Sequence, residues 1–339
     1  MPTTLAQLTT LRVGGSIGQL ESASTEAQII EMVQRADDAS QPLLLLGGGS
    51  NVLVGDQGWP DLVLLIRSRG ISVIEDNADT VLVEVAAGHR WDEFVATAVA
   101  SGWSGIECLS GIPGMVGATP IQNVGAYGQD VGQVIEQVRA LDRVTGTVRD
   151  FTRSHCEFGY RDSVFKALPD RFVVLAVQFR LHKSARSAPI RYPELARRLE
   201  IWVGDTAVMS ATRTAVLELR IGKGMVLEEK DQDTWSAGSF FTNPIVDEQV
   251  AEGLPEAPRY PAKRGVKLSA AWLIEHAGFA KGYGNERASL STKHTLALTN
   301  RGTATAQDLL ALAREIRDGV QAKFQLELVP ELTLINCKL

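Results

Sequence analysis

Cysteine is scarce and scattered in this chain. The 339 residues hold three, Cys108, Cys156 and Cys337, with no CxxC spacing. That argues against a zinc knuckle or a redox pair and fits a reducing compartment. The five histidines, at 89, 155, 182, 276 and 294, show no HExxH or other ligand spacing, so no metal is expected. An excess of positive charge is missing too. Thirty-four basic against 40 acidic residues leave a net charge of −6, a poor basis for binding nucleic acid or an anionic membrane surface. No run reads as a membrane helix. The longest uncharged stretch, Cys108 to Gln129, carries five glycines and two prolines, the mark of a buried, turn-rich loop. The N-terminus lacks a basic start followed by an apolar block, so no secretory signal is expected and a cytoplasmic location is. Neither a Walker loop nor a strand–GxGxxG–helix fingerprint occurs, which disfavours a Rossmann site. No obligate protein partner is inferred.

What is present reads as strands with two helices first, and then a smaller domain with its own helices. Thr25-Glu26-Ala27-Gln28 is a capping-box pattern ahead of Ile29, Ile30 and Val33, and predicts a first helix. Strands are predicted at 43–46, 52–54, 62–66, 81–85 and 171–181. A second helix is predicted over 91–101, with Phe94, Val95, Ala98 and Val99 on one face and Gly102 as its stop. The polar, breaker-rich residues 182–189 mark a seam. Beyond it, Ser269 caps a helix carrying Trp272, Leu273 and Ile274 and ending at Gly278. Thr305 caps another, whose apolar face is Leu309, Leu312, Ala313, Ile316 and Val320. Residues 325–335 are expected as strands interrupted at Pro330. The class is α+β, with residues 1–183 as one region, itself of two α/β subdomains, and 184–339 as a C-terminal domain.

Several motifs carry possible chemistry. Gly47-Gly48-Gly49-Ser50-Asn51 is either a hairpin turn or a nest of N–H groups for a phosphate. Gly14-Gly15-Ser16-Ile17-Gly18 formally matches the hydrolase elbow, which requires a strand before it and a helix after it. Ser110-Gly111-Ile112-Pro113-Gly114-Met115-Val116-Gly117, continued by Gln122-Asn123-Val124-Gly125-Ala126-Tyr127-Gly128, implies backbone pressed against a flat ligand or another chain segment. Arg161, among Gly159, Tyr160 and Asp162, is placed either to bind a carboxylate or to pair with Asp162. Ser239 lies among aromatics in Gly238-Ser239-Phe240-Phe241-Thr242-Asn243-Pro244, either in an ordinary turn or as a reactive hydroxyl. Lys223 sits between two glycines, and Glu331 opens an alternating Glu331–Ile335 strand.

In order and spacing these segments resemble the UDP-N-acetylenolpyruvoylglucosamine reductases (the MurB family). The resemblance runs from Leu11-Arg12-Val13-Gly14-Gly15 through 47–51, 110–128 and 158–166 to GSFFTNP at 238–244, WLIEHAGFAKG at 272–282, KHTLAL at 293–298 and PEL at 330–332. It departs at Met225, where proline is expected in many relatives. It implies an FAD-binding domain of the vanillyl-alcohol-oxidase (PCMH) type over 1–183 and a substrate-binding domain over 184–339. By resemblance, Gly47, Gly48, Gly49, Ser50 and Asn51 hold the pyrophosphate of a noncovalent FAD, while Ser110, Gly111, Ile112, Gly114 and Gly117 line its flavin. Arg161, Ser239 and Glu331 match the family's catalytic residues. Tyr127, Tyr160, Tyr192, Lys223, Asn243 and His294 match substrate-side or NADPH-side positions. The activity implied is NADPH-dependent reduction of the enolpyruvyl group of a UDP-sugar. The alternatives are another FAD-dependent oxidoreductase on the same scaffold and a flavin-free UDP-sugar-binding protein.

Overall fold

The valine-rich runs of the first half become the centre of an antiparallel sheet. In the computed structural model, which describes residues 3–339, five strands lie in the order Thr147–Thr152, Ile135–Asp142, Phe172–Lys183, Thr80–Ala86, Ile71–Asp76. Val81, Val83 and Val85 of the fourth are buried. The helix Trp91–Ala100 covers this core with Trp91 and Phe94, whose rings meet Phe179 at 5.9 and 5.0 Å. The sequence reading had these two strands and this helix, but missed Ile71–Asp76, Ile135–Asp142 and Thr147–Thr152. Ile71–Asp76 is exposed beyond its first residue. An edge strand of that kind lacks the buried alternation by which strands are recognised.

A smaller sheet has the order Ile17–Ala23, Trp59–Ile66, Leu43–Leu46. Leu43–Leu46 pairs in parallel with residues 62–65, and both strands lie near the helix Glu26–Asp38 in sequence. Thr25 Oγ1 caps that helix by accepting the Gln28 N–H at 3.2 Å, while Gln28 reaches back to the Ser24 N–H. Capping is therefore reciprocal but shifted by one residue from the pattern expected.

The chain divides into two compact units. One comprises Gly18–Gly48 and Pro60–Ile221; the other comprises the chain up to Ile17, Gly49–Trp59 and Gly222–Leu339. Compactness does not follow a single cut between residues 183 and 184. Residues 184–221, including a helix Met209–Gly222 absent from the sequence reading, pack mostly with the first unit. The physical reason is a small apolar cluster, in which Ile190, Leu195, Ala196, Ala215 and Val216 close over Cys108. Two carboxylates reinforce it. Buried Glu107 accepts the Ala188 N–H at 2.7 Å, and Asp92 accepts both Arg213 terminal nitrogens at 2.7 and 2.8 Å.

The second unit has its own core, built on the helices Ala270–His276 and Ala306–Phe324. Leu309, Leu312, Ala313, Ile316 and Val320 are all buried, as their spacing predicts. Thr305 and Asp308 form a capping box, and Asp56 receives the Ala306 and Gln307 N–H groups at 2.7 and 3.1 Å. The terminal strand is shorter than expected. Only Thr333–Ile335 forms it, in parallel with Val52–Val54. Gln325 turns left-handed at φ 59°, and Pro330 contributes one isolated bridge, to Phe241. A residue without an N–H cannot extend a ladder. After Ser16 comes a strand, Ile17–Ala23, in place of the helix that a hydrolase elbow needs.

Candidate active site

In the first unit the glycine-rich turns meet backbone to backbone. A Cβ on Gly48 would stand 2.7 Å from Gly114 Cα, and one on Gly117 would stand 2.5 Å from Ala87 Cβ. Of the two explanations open for the glycines of 110–128, contact with another chain segment accounts for Gly117. The turns are pinned from outside: Trp91 N donates to Gly114 O at 3.0 Å, Gly117 N to Ala87 O at 2.8 Å, and Gly111 N to Asp92 at 2.6 Å. Ser110 is fully buried, and its hydroxyl donates to Glu107 O at 2.6 Å. Ile112 is half-buried against the main core.

A phosphate-bearing cofactor fits the turn at Gly47-Gly48. Among the described residues, neither glycine N–H donates to a backbone carbonyl. Arg67 lies alongside, with Nη1 donating to Gly47 O at 2.9 Å and to Ile66 O at 3.0 Å. N–H groups not committed to backbone carbonyls, beside a cation, suit an anion. Sequence reading missed Arg67, because nothing in its local pattern shows that it folds under the turn. His89 Nδ1, in the segment paired with residues 115 to 117, is likewise buried without a hydrogen bond. Burial, aided by Arg69, holds that imidazole below its usual range.

Arg161 occupies a left-handed backbone position, φ 53°. Its Nη2 donates to Gly125 O at 2.8 Å and its Nη1 to Asn123 O at 3.5 Å, while Lys166 Nζ holds the Arg161 carbonyl at 2.8 Å. The guanidinium is aimed by backbone carbonyls, and Tyr160 stands beside it with its ring 5.6 Å away. Two residues after Gly125, Tyr127 is also left-handed, φ 49°, and meets Tyr192 edge to face at 5.4 Å. Burial pushes the Tyr127 phenol up to about 12, partly offset by Arg220. It is a neutral hydrogen-bonding group at physiological pH.

In the second unit the backbone of Phe240 links the segments that carry Ser239, His294 and Glu331. Phe240 N donates to Leu296 O at 2.7 Å, and Phe240 O accepts the Glu331 N–H at 2.8 Å. Ser239, half-buried and preceded by Gly238 at φ 74°, is thereby fixed beside Glu331 and the turn that carries His294. Lys223 precedes Gly224, which lies against the turn before His294: a Cβ on Gly224 would stand 3.2 Å from Asp233 O and 3.6 Å from Ser291 Oγ. Asn243 uses its side-chain oxygen to accept the Ala270 N–H at 2.8 Å, at the start of the helix Ala270–His276. Gly49 packs tightly at φ 61°, where a Cβ would stand 2.0 Å from Leu8 O, and Asn51 O accepts the Thr333 N–H at 3.0 Å. Ser50 lies between them in the same loop.

Known proteins match along nearly the whole chain. Residues 20–152 match the family described as FAD binding domain, and residues 229–335 match the family described as UDP-N-acetylenolpyruvoylglucosamine reductase, C-terminal domain. A Salinispora arenicola protein named UDP-N-acetylenolpyruvoylglucosamine reductase is 53% identical, over 99% of this chain and 95% of its own. One of the same name from Cutibacterium acnes is 52% identical, over 98% of this chain and 89% of its own. The crystal structure of UDP-N-acetylenolpyruvylglucosamine reductase from Thermus caldophilus superimposes with a TM-score of 0.68 at 26% identity, covering 98% of this chain and 97% of that one.

Proposed function

This chain belongs to the UDP-N-acetylenolpyruvoylglucosamine reductase family, and from that membership we propose how its own residues divide the work of reduction. The enzyme is an FAD-dependent oxidoreductase that reduces the enolpyruvyl group of UDP-N-acetylglucosamine enolpyruvate with NADPH, giving UDP-N-acetylmuramate for peptidoglycan precursor synthesis. Bound FAD supplies the hydride. The Gly47–Asn51 turn, with Arg67 beside it, would hold the pyrophosphate. Ser110, Gly111, Ile112, Gly114 and Gly117 would line the ring.

Reduction of the enolpyruvyl C=C bond sends electron density toward its carboxylate. A cation that binds the carboxylate more tightly as charge grows lowers the barrier. Arg161 serves this purpose, and the carbonyls of Gly125 and Asn123 support its orientation. The enolate-like carbon then takes a proton from Ser239. A serine hydroxyl is a weak acid, so it needs help; Lys223 makes its proton available, and Glu331 polarises the pocket. The observation that carries the Ser239 and Glu331 assignments is that Phe240, next to Ser239, accepts the Glu331 N–H. Tyr127, Tyr160, Tyr192, Asn243 and His294 bind the nucleotide ligands. The compartment is the cytoplasm, and the partners are small molecules only.

The test is NADPH oxidation followed by near-ultraviolet absorbance, with and without the UDP-enolpyruvyl sugar. Oxidation should depend on the sugar, and the product should be the saturated lactyl ether. Equal rates with and without the sugar would refute the assignment.

A further inference from the structure

Asp233 is the hub of a small buried network in the second unit. The residue is 5% exposed. Its Oδ2 accepts the hydroxyls of Ser291 and Thr292, each at 3.0 Å. Its Oδ1 accepts the Thr292 N–H at 2.9 Å and Arg301 Nη1 at 3.0 Å. Ser291 Oγ in turn accepts two backbone N–H groups, from Lys293 at 3.0 Å and from His294 at 3.2 Å. One carboxylate thereby fixes the backbone of the whole Ser291–His294 turn. Lys293 adds a second tie, with Nζ on Asp231 at 2.8 Å.

The turn determines which nitrogen of His294 carries its proton. Leu296 N donates to His294 Nδ1 at 3.1 Å. A backbone amide can only donate, so Nδ1 must present its lone pair. The neutral ring then has its hydrogen on Nε2. The Leu296 carbonyl, meanwhile, receives the Phe240 N–H next to Ser239. The histidine tautomer and the seat of Ser239 thus depend on the same short turn.

We infer that Asp233 is a positioning residue which, through Ser291, locks His294 as an Nε2–H donor toward an oxygen of a bound nucleotide. The acceptor chemistry, a phosphate or carbonyl oxygen, is common to the UDP-sugar and to NADPH, and the two are distinguished by measuring each. The ligand half of this inference rests on His294 being a ligand-side residue as proposed above; the tautomer half does not.

The experiment uses FAD-loaded enzyme labelled with ¹⁵N-histidine. Long-range ¹H–¹⁵N correlation reports the tautomer, with the His294 signal assigned by its loss in His294→Gln. The Nε2–H pattern is expected, and an Nδ1–H pattern overturns the inference. Asp233→Asn should produce a mixture of tautomers and weaken binding of one or both nucleotides by about tenfold, the scale of one hydrogen bond to a charged group, with KM affected more than kcat. If Asp233→Asn does not fold, Ser291→Ala cuts the same link while leaving the carboxylate its Thr292 and Arg301 partners. An unchanged tautomer in a folded variant removes the positioning role. His294→Gln places an amide N–H near the Nε2 position and should keep affinity within a few-fold, whereas His294→Leu should lose about tenfold. Equal losses in the two, or no loss in either, overturn the donor role. Sugar-independent NADPH oxidation by the unmodified enzyme would instead refute the functional reading and leave the tautomer result intact.

Discussion

At the scale of single residues, the proposed chemistry rests on weak groups made competent by their surroundings. Ser239 has no intrinsic acidity to offer, and its assignment as proton donor predicts a division of labour. Ser239→Ala should leave flavin reduction by NADPH nearly intact. It should slow reoxidation by the enolpyruvyl substrate by at least roughly a hundredfold, the usual scale for losing a general acid. Stopped-flow absorbance separates the two half-reactions, and equal slowing of both would mean that Ser239 supports structure instead. Read one by one in the sequence, Ser239, Glu331 and Lys223 are isolated polar spots for which the bland explanation is the better one. Their order along the chain, matched to a family, singled them out. Arg67 and Asp233 escaped because each acts on a segment distant in sequence: Arg67 meets Gly47, and Asp233 meets Ser291 and Arg301.

At the scale of elements, helix ends were the most legible feature. Thr25, Ser269 and Thr305 all cap the helices expected of them, because capping is decided within four residues. Helix Met209–Gly222 shows the opposite case. It has no N-terminal capping signal of that kind, and its place in the first unit is decided by Ala215 and Val216 packing over Cys108, reinforced by Arg213 reaching Asp92, 121 residues away. Burial alone would raise the Asp92 carboxyl. The Arg213 guanidinium and the Gly111 N–H outweigh burial and hold the group below its usual value of 3.8. A carboxyl lowered in the folded state contributes stability above its unfolded pKa and loses it as pH falls through the folded one. Asp92→Asn should therefore destabilise the protein at neutral pH by about 1 kcal/mol, the upper end for partly exposed pairs. The difference from wild type should shrink as pH falls below 3.8. Urea unfolding at a series of pH values checks both statements, and a pH-independent difference would assign the effect to packing alone.

At the scale of the whole molecule, each unit has its own hydrophobic core, and the cofactor should add to folding free energy wherever it binds only the folded chain. Noncovalent FAD at 100 times its Kd should stabilise by about 2.7 kcal/mol. Thermal unfolding with and without added FAD measures this. Acid precipitation should leave the flavin in the supernatant, because the binding turn at 47–51 has no cysteine or histidine to form a bond. Flavin retained by the washed, denatured chain would overturn the noncovalent assignment.

The sequence alone determined whatever depends on near neighbours: the α+β class, the caps, the buried stripe from Leu309 to Val320, and the ordered motifs that mark the family. These follow from periodicity and from hydrogen bonds spanning three or four residues. Only the tertiary structure decided that residues 184–221 close over Cys108, that Gly48 is a glycine because Gly114 presses against it, and that Phe240 joins Ser239 to Glu331. Those contacts join positions tens to more than a hundred residues apart. No local pattern encodes such a pairing, since each partner alone is compatible with an ordinary turn or surface site.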